Sequence, residues 1–409
     1  MPFQTHNKQL VLFIFLFAII FSSAGAADNV FEIKCQEKAL PISITGTKTK
    51  LAKLKKVISS EAKMFAAMTE EQSLTHLKKI LLDTGLFSTV KVEKNAEGVT
   101  VATIEDAYTL LPIINFSTNL DNFSYTAGVS ESDLFNDMWQ VAGAWSQSSS
   151  SSSLYYSLGV AYPTDYIQSL NAGGIQGDSY FYYQKKWYQF ELDDFFMTIR
   201  FKDIINLLKF NYGAQIRYTQ FSFLDDPTFS ASVFASIGKT YRYHDISEGY
   251  HLGLSARYLD DRYNRYTFNA SFQKNWYIPI KDNSVFRGYQ LDYQIDYSNI
   301  EEDRSAVGTI FSFRSGALHG LRSNSVFEEN FATTGFRFGV TSQKFLWTYW
   351  QPHAFMEAGI SDHETYYSVG VGILLTFPSL YNSRIRLQYY HGELPDSLSG
   401  VIISTSLDF

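Results

Sequence analysis

The sequence predicts a transmembrane β fold: a sixteen-stranded antiparallel outer-membrane β-barrel preceded by one small α/β domain. Three observations predict it. The last stretch alternates, with Val401, Ile403, Thr405, Leu407 and Phe409 on one face and Ile402, Ser404, Ser406 and Asp408 on the other. A period of two that ends on an aromatic residue is the pattern of the closing strand of an outer-membrane barrel. Residues 108–409 divide throughout into strand-length runs separated by turns. The N-terminus reads as a secretory signal, and no later stretch has the length and apolarity of a membrane helix.

Residues 1–26 carry that signal. Lys8 supplies the positive charge, residues 10–21 (LVLFIFLFAIIF) form the apolar segment, and Ala24-Gly25-Ala26 offers a small-residue cleavage site. The apolar segment is short for a spanning helix, which needs about 20 residues. Mean hydropathy is slightly negative, as expected when only alternate residues meet lipid. Phe and Tyr dominate an aromatic content of 17%, which suits the interfacial girdles of a barrel. A net charge of −7 argues against a nucleic-acid partner. Cys35 is the only cysteine, so an intramolecular disulfide is excluded. Lys34 is not the small residue that a lipoprotein cleavage box needs, and Cys35 is expected to be a buried or incidental thiol.

Residues 28–107 read as a β-α-α-β-β domain. Ile42 and Ile44 alternate with polar residues up to Gly46, a turn position. Leu51, Leu54, Val57 and Ile58 recur at helical spacing, as do Leu74, Leu77, Leu81 and Leu82. Thr69 followed by Gln72 forms an N-cap signal for the second helix, and Gly85 a C-cap. A hairpin follows, with Val90 and Val92, a turn over residues 95–98, then Val99, Val101 and Thr103.

Residues 108–409 parse into strands near 111–119, 122–132, 138–148, 153–162, 165–176, 188–202, 208–222, 228–242, 249–259, 264–278, 285–298, 331–343, 350–361, 365–377, 383–391 and 400–409. The serine run at 148–153 reads as an exposed loop. The count is even, as bacterial single-chain barrels require. Leu291, Tyr293, Ile295 and Tyr297 alternate with Gln290, Asp292, Gln294 and Asp296, and Ile385, Leu387 and Tyr389 oppose Arg384, Arg386, Gln388 and Tyr390. A soluble sandwich would turn the apolar face to a core; a barrel turns it to lipid.

The segment LTHLKKILLDTGLFSTVKVEKNAEGVTVATIEDA, residues 74–107, resembles the second half of a POTRA domain. The resemblance implies that Gly46 ends the first strand, Gly85 permits the turn, and Leu86 and Phe87 plug the core. One POTRA-like domain followed by sixteen strands is similar to the outer-membrane assembly and secretion superfamily of BamA, TamA and the two-partner secretion transporters. Residues 122–145 resemble its second and third strands, and residues 275–293 its tenth and eleventh. The AFMEAG segment matches that family's thirteenth-strand pattern through Phe355, Glu357 and Gly359, with Glu in place of the usual Asp. The resemblance implies that an arginine of the sixth loop folds back and pairs with Glu357. Arg322 and Arg314 of the loop at 299–330 are the candidates, although neither is followed by Gly and an aromatic. Arg287 stands in the better motif string, Phe286-Arg287-Gly288-Tyr289, but at the start of strand eleven, on the periplasmic side by parity. A carboxylate inside a narrow barrel is costly without a partner, and an arginine fork satisfies it.

No metalloprotease, redox or nucleophile-elbow motif stands in the sequence, and the histidines are scattered. No catalytic site, metal or cofactor is expected, and acidic pairs such as Asp225-Asp226 fall in loops. The resemblance implies an outer-membrane insertase or translocase with its N-terminal domain in the periplasm. The lateral seam would lie between the first strand and the last, which carries Val401, Ile403, Leu407 and Phe409. Expected partners are outer-membrane lipids and lipopolysaccharide, unfolded β-barrel or secreted protein clients, and periplasmic or lipoprotein partners. The competing readings are a passive pore or structural barrel of the same fold, and a handler of lipid.

Overall fold

The computed structural model describes residues 30–406 except 36–37, 120–121, 149–151, 184–185, 223–225, 244–245, 261–264, 282, 284, 301–329, 346, 363, 381–383 and 394–396. The N-terminal domain runs β1 (Val30–Cys35), β2 (Lys38–Thr45), α1 (Leu51–Ser59), α2 (Ala62–Ala66), α3 (Glu70–Asp83), β3 (Phe87–Lys94) and β4 (Thr100–Asp106). Its sheet has the order β1-β2-β4-β3, with β2 parallel to β4 and the other pairs antiparallel. The expected β-α-α-β-β order therefore gains a strand and a short helix. The strand is legible in hindsight: Val30, Glu32 and Lys34 are exposed while Ile33 and Cys35 are buried.

Local chemistry sets the domain's boundaries. α3 begins with a full capping box, Thr69 accepting from the Gln72 amide and Gln72 accepting from the Thr69 amide, so two orphan donors of the first turn are satisfied. Leu77, Ile80 and Leu81 of α3 pack on Leu54, Val57 and Ile58 of α1 and on Ile42 and Ile104 of the sheet. Gly46 has φ +87°, and a side chain there would put Cβ 2.3 Å from the Ile104 carbonyl oxygen. Gly85, at φ +73°, follows the end of α3, and Leu86 and Phe87 are buried in the core. The Cys35 thiol is buried, 3.0 Å from the Met68 carbonyl and 3.0 Å from the Ser73 hydroxyl.

The barrel strands are β5 (Leu110–Asn119), β6 (Asn122–Leu134), β7 (Trp139–Ser148), β8 (Ser152–Ala161), β9 (Ile167–Tyr183), β10 (Lys186–Ile205), β11 (Leu208–Phe221) and β12 (Thr228–Tyr243). They continue as β13 (Ile246–Asp260), β14 (Arg265–Pro279), β15 (Phe286–Ile300), β16 (Asn330–Ser342), β17 (Tyr349–Ser361), β18 (Thr365–Thr376), β19 (Arg384–Glu393) and β20 (Ser397–Ser406). Sixteen strands pair in sequence order, and β20 returns to β5 to close the barrel. Every strand read from the sequence has its counterpart. β9 and β13 run further than expected, because Gly177 (φ +131°) and Gly249 (φ +113°) break the alternation while the ladder continues past them.

Polarity decides what surrounds the barrel. Val129, Val233, Leu252, Leu254, Met356, Val369, Val371 and Leu387 stand exposed on the outside. Thr198, Thr219, Ser230, Asn275, Gln290, Thr333, Gln351, Ser368 and Gln388 are buried inside. A water-soluble protein arranges these the other way. A barrel in hydrocarbon needs this order, with every backbone group bonded between strands. The interior is filled by polar contacts. Arg217 grips Asp194 through two hydrogen bonds of 2.5 and 2.7 Å, and the Thr219 hydroxyl donates to Asp194 at 2.9 Å. Arg337 meets a single oxygen of Asp292, Oδ2, through Nε at 2.9 Å and Nη2 at 2.8 Å, and the other oxygen accepts from Gln290 at 2.7 Å.

Candidate lateral seam, lumenal acid and domain junction

Among the described residues, the junction where the barrel closes is its shortest. β20 and β5 share five residue pairs, from Gly400↔Asn119 to Ser404↔Asn115. β10 and β11 share fourteen, and β19 and β20 ten. Pairing across the closure stops at Asn115, although β5 begins at Leu110 and β20 continues to Ser406. Val401 faces Thr118 and Ile403 faces Phe116 in register, and Ile403 is exposed. Leu407 and Phe409 lie outside the described residues.

The thirteenth barrel strand, β17, carries the FxExG residues. Gln351, His353, Phe355, Glu357 and Gly359 face inward and are buried, while Trp350, Met356 and Ile360 face outward. Glu357 sits opposite Gly335 of β16 and Ser368 of β18. It lines a cavity of about 170 Å³ with Asp292, Arg337, Phe355, Arg386 and Gln388. The Phe355 ring lies over Gly370, where a Cβ would stand 2.3 Å from Cζ. That explains the glycines of the Gly370-Val371-Gly372 segment: they make room for inward side chains. His353 is held by Gln388 at 2.9 Å and by the Gln351 carbonyl at 3.1 Å. Arg314 and Arg322 lie outside the described residues. Arg287 is at the other end of the barrel. Its Nε donates to the Ser342 carbonyl at 3.0 Å, and its guanidinium stacks 4.0 Å from the Tyr349 ring centroid. The ladder register puts it roughly 20 Å along the strands from Glu357. Among the described residues, no cluster of His, Cys, Asp and Glu is placed to hold a metal ion.

Sequence reading missed the junction between the two domains. The helices of the small domain rest on one end of the barrel, against successive turns. Lys50 and Lys53 approach Asp137 at 3.3 and 3.8 Å, and Thr49 donates to Asp133 at 2.7 Å. Lys53 also donates to the Ala161 carbonyl at 3.1 Å, and Lys56 to Pro163 at 2.8 Å. Burial pushes the Lys53 ammonium below its ordinary value, and Asp137 opposes that shift. Lys63 meets Asp203 at 2.6 Å, and Lys79 pairs with Glu248.

At the centre is Glu61, 2% exposed. It pairs with Lys202, lies 3.4 Å from the Lys209 ammonium, and its second oxygen is 2.8 Å from His76 Nε2. The other ring nitrogen of His76 is 3.2 Å from the Tyr241 hydroxyl. Burial alone would raise the Glu61 carboxyl, but Lys202, the His76 hydrogen bond and Lys209 outweigh it and hold the group far below the carboxylate range. No local pattern marks these residues, because Glu61 and Lys202 are 141 positions apart. Beside the cluster is a cavity of about 280 Å³ lined by residues of both domains, among them Ile80, Asp83, Met138, Gln140 and Asn211.

No protein-family model and no curated protein matches the chain. Among solved structures, it is similar to BamA from Haemophilus ducreyi lacking POTRA domains 1–3, at 11% identity, with a TM-score of 0.51. That match covers 98% of this chain and 94% of the other. It is also similar to CdiB from Acinetobacter baumannii, at 10% identity over 92% of this chain and 74% of the other, with a TM-score of 0.56. At such identities the likeness is one of fold.

Proposed function

We propose that the protein is an outer-membrane insertase or translocase, which assembles or secretes other proteins through its seam or lumen. The observation that carries this reading is the five-pair closure between β5 and β20. Unpaired backbone groups are intolerable in hydrocarbon, so a short seam opens only where another strand replaces the lost partner. An unfolded β-barrel client supplies such a strand. No nucleotide is required, because client folding drives the step. The BamA-like fold supports the same reading.

In this account residues 1–26 are a signal peptide, residues 28–107 a POTRA-like periplasmic domain, and residues 108–409 the barrel. The small domain receives clients or partner proteins by strand addition to its sheet edge. Glu357 is the acceptor for an arginine of the 299–330 loop, Arg322 or Arg314, holding that loop within the lumen; Arg287, engaged with Ser342 and Tyr349 at the far end of the strands, is not the partner. The buried inward position of Glu357 and the packing of Phe355 on Gly370 support the lock. The competing reading, a passive pore, draws on the polar lining and cavities of the lumen.

Photo-crosslinking separates the two. A photoreactive residue at 403 is expected to capture unfolded barrel clients, whereas one at Val233, on the opposite wall, is not. Equal capture at both positions, or none at either, would remove the seam from the mechanism.

A further inference from the structure

Hydrocarbon tolerates charge poorly, and a cation on the lipid-facing side of a barrel strand marks a site. On β11 to β19, Arg217, Arg257, Arg337, Arg384 and Arg386 turn into the lumen. Lys239 of β12 and Lys274 of β14 turn outward. Facing residues of paired strands share one side of the sheet, and the register runs Lys239↔Tyr250, Tyr250↔Lys274 and Lys274↔Tyr293. The face of Tyr250 continues through Leu252 and Leu254, and that of Lys274 through Trp276, all exposed on the outside. A row of Lys, Tyr, Lys and Tyr therefore crosses four neighbouring strands of the lipid-facing wall. Neither lysine has a hydrogen bond or ion pair with a described residue, and neither tyrosine hydroxyl has a hydrogen bond with one. Glu248, two residues from Tyr250, is held by Lys79 of the small domain.

What surrounds the Lys274 ammonium is aromatic. It lies 5.2 Å from the Tyr250 ring centroid and 5.4 Å from that of Trp276, both within cation–π range. Trp276 is two residues nearer the end of β14, so the lysine leans towards that end, where Trp276, Tyr289 and Trp350 stand exposed as an aromatic girdle. Lys274 is five residues from Pro279, and Lys239 four from Tyr243, the ends of their strands on the small domain's side. Allowing for strand tilt, that is roughly 10–13 Å of height, within one leaflet and close enough for a lysine stem to reach the headgroups. We propose that the row binds the phosphate of an anionic phospholipid in the leaflet at the small domain's end, the periplasmic leaflet in the reading above. The two lysines are rooted about 10 Å apart, two strand spacings, and reach the phosphate from either side of Tyr250. Tyr250 and Tyr293 supply hydroxyl donors. A zwitterionic lipid brings its own ammonium, which the lysines repel; an anionic one does not. The row lies away from the closure of β20 on β5 and serves an insertase and a pore alike. It is read on lipid alone, so its failure and that of the proposed function are separate results.

The test is native mass spectrometry of the purified protein, titrated in detergent with dioleoyl phosphatidylglycerol, dioleoyl phosphatidylcholine or lipid A in separate series. Wild type is expected to retain phosphatidylglycerol about tenfold more tightly than phosphatidylcholine, since each lysine adds to the attraction for an anionic lipid. Lys239→Gln with Lys274→Gln is expected to remove that preference. Lys239→Arg with Lys274→Arg keeps both charges and is expected to keep it. Heat-modifiable gel mobility checks that each barrel is folded. Removing charge from a lipid-facing wall does not burden the fold; should the double glutamine variant still fail to assemble, Lys274→Gln alone is measured, with a partial loss expected. Equal retention of the two phospholipids by wild type, or a preference that survives in the folded double glutamine variant, overturns the proposal. Lysine-dependent retention of lipid A in place of phosphatidylglycerol overturns it as well, because that lipid belongs to the other leaflet.

Discussion

Locking the seam is the sharpest perturbation available. Thr118 and Val401 face each other across it, and Cα atoms of facing antiparallel residues lie about 4.5–5.5 Å apart, within disulfide range. The native sequence holds a single cysteine, Cys35, and it is buried. The two new thiols in Thr118→Cys, Val401→Cys are therefore the accessible ones. Five facing pairs carry about five backbone hydrogen bonds, each worth about 4–6 kcal/mol in an apolar medium. Opening the seam into bare lipid would thus cost roughly 20–30 kcal/mol. Spontaneous opening is negligible, and only exchange with an incoming strand brings the cost near zero. A disulfide blocks that exchange whatever the client. The assay is folding of a urea-unfolded porin into proteoliposomes, followed by its heat-modifiable mobility. Oxidation is expected to lower the rate by about tenfold or more, a barrier increase of roughly 1.4 kcal/mol at least, and reductant to restore it. Val233→Cys with Ala256→Cys, the same bridge between β12 and β13, is expected to have no effect. Full activity from the oxidised seam would refute the argument.

Three other outcomes follow from the geometry. Thr69→Ala removes the capping box of α3 and is expected to cost about 1 kcal/mol, read as faster amide exchange in its first turn. Gly370→Ala drives a methyl to within 2.3 Å of the Phe355 ring. It is expected to cost about 1–3 kcal/mol and to lower the midpoint of thermal barrel unfolding on gels. Docking of the small domain should resist mild acid. The Glu61 carboxyl is lower when docked than when free, so its contribution is complete above the free glutamate value of about 4.3 and is lost as pH falls below it. Bridging of a Lys63→Cys, Asp203→Cys variant, at positions whose native side chains meet at 2.6 Å, by a bis-methanethiosulfonate is expected to hold constant from about pH 7 to about pH 5; a loss near neutrality would contradict it.

Local periodicity carried most of the architecture. Alternation located all sixteen barrel strands, because in lipid every second residue must be apolar and the sequence has little freedom to hide it. Capping chemistry at Thr69 and Gln72, and the turns at Gly46 and Gly85, were equally readable, since they depend on residues a few positions apart. β1 was missed although Phe31, Ile33 and Cys35 alternate with Glu32 and Lys34; the run is short and follows closely on the apolar N-terminal segment. Glu357 stands in an FxExG string on the thirteenth barrel strand, where the structure turns it inward and buries it. The ionic junction was not legible. Glu61, His76, Lys202, Lys209 and Tyr241 come from distant elements, and each alone looks like a solvated surface residue. The short register of the closing pair was equally hidden, because pairing length depends on how the whole sheet curls to meet itself.

The central claim is that this barrel handles other proteins. Quantitative proteomics of the outer membrane after depletion of the protein tests it most directly. The account predicts loss of other β-barrel proteins, broadly or as a selective set, or of one secreted substrate, and the loss names the client. An unchanged protein inventory together with altered permeability to small solutes would contradict the account and leave a pore built on the same fold.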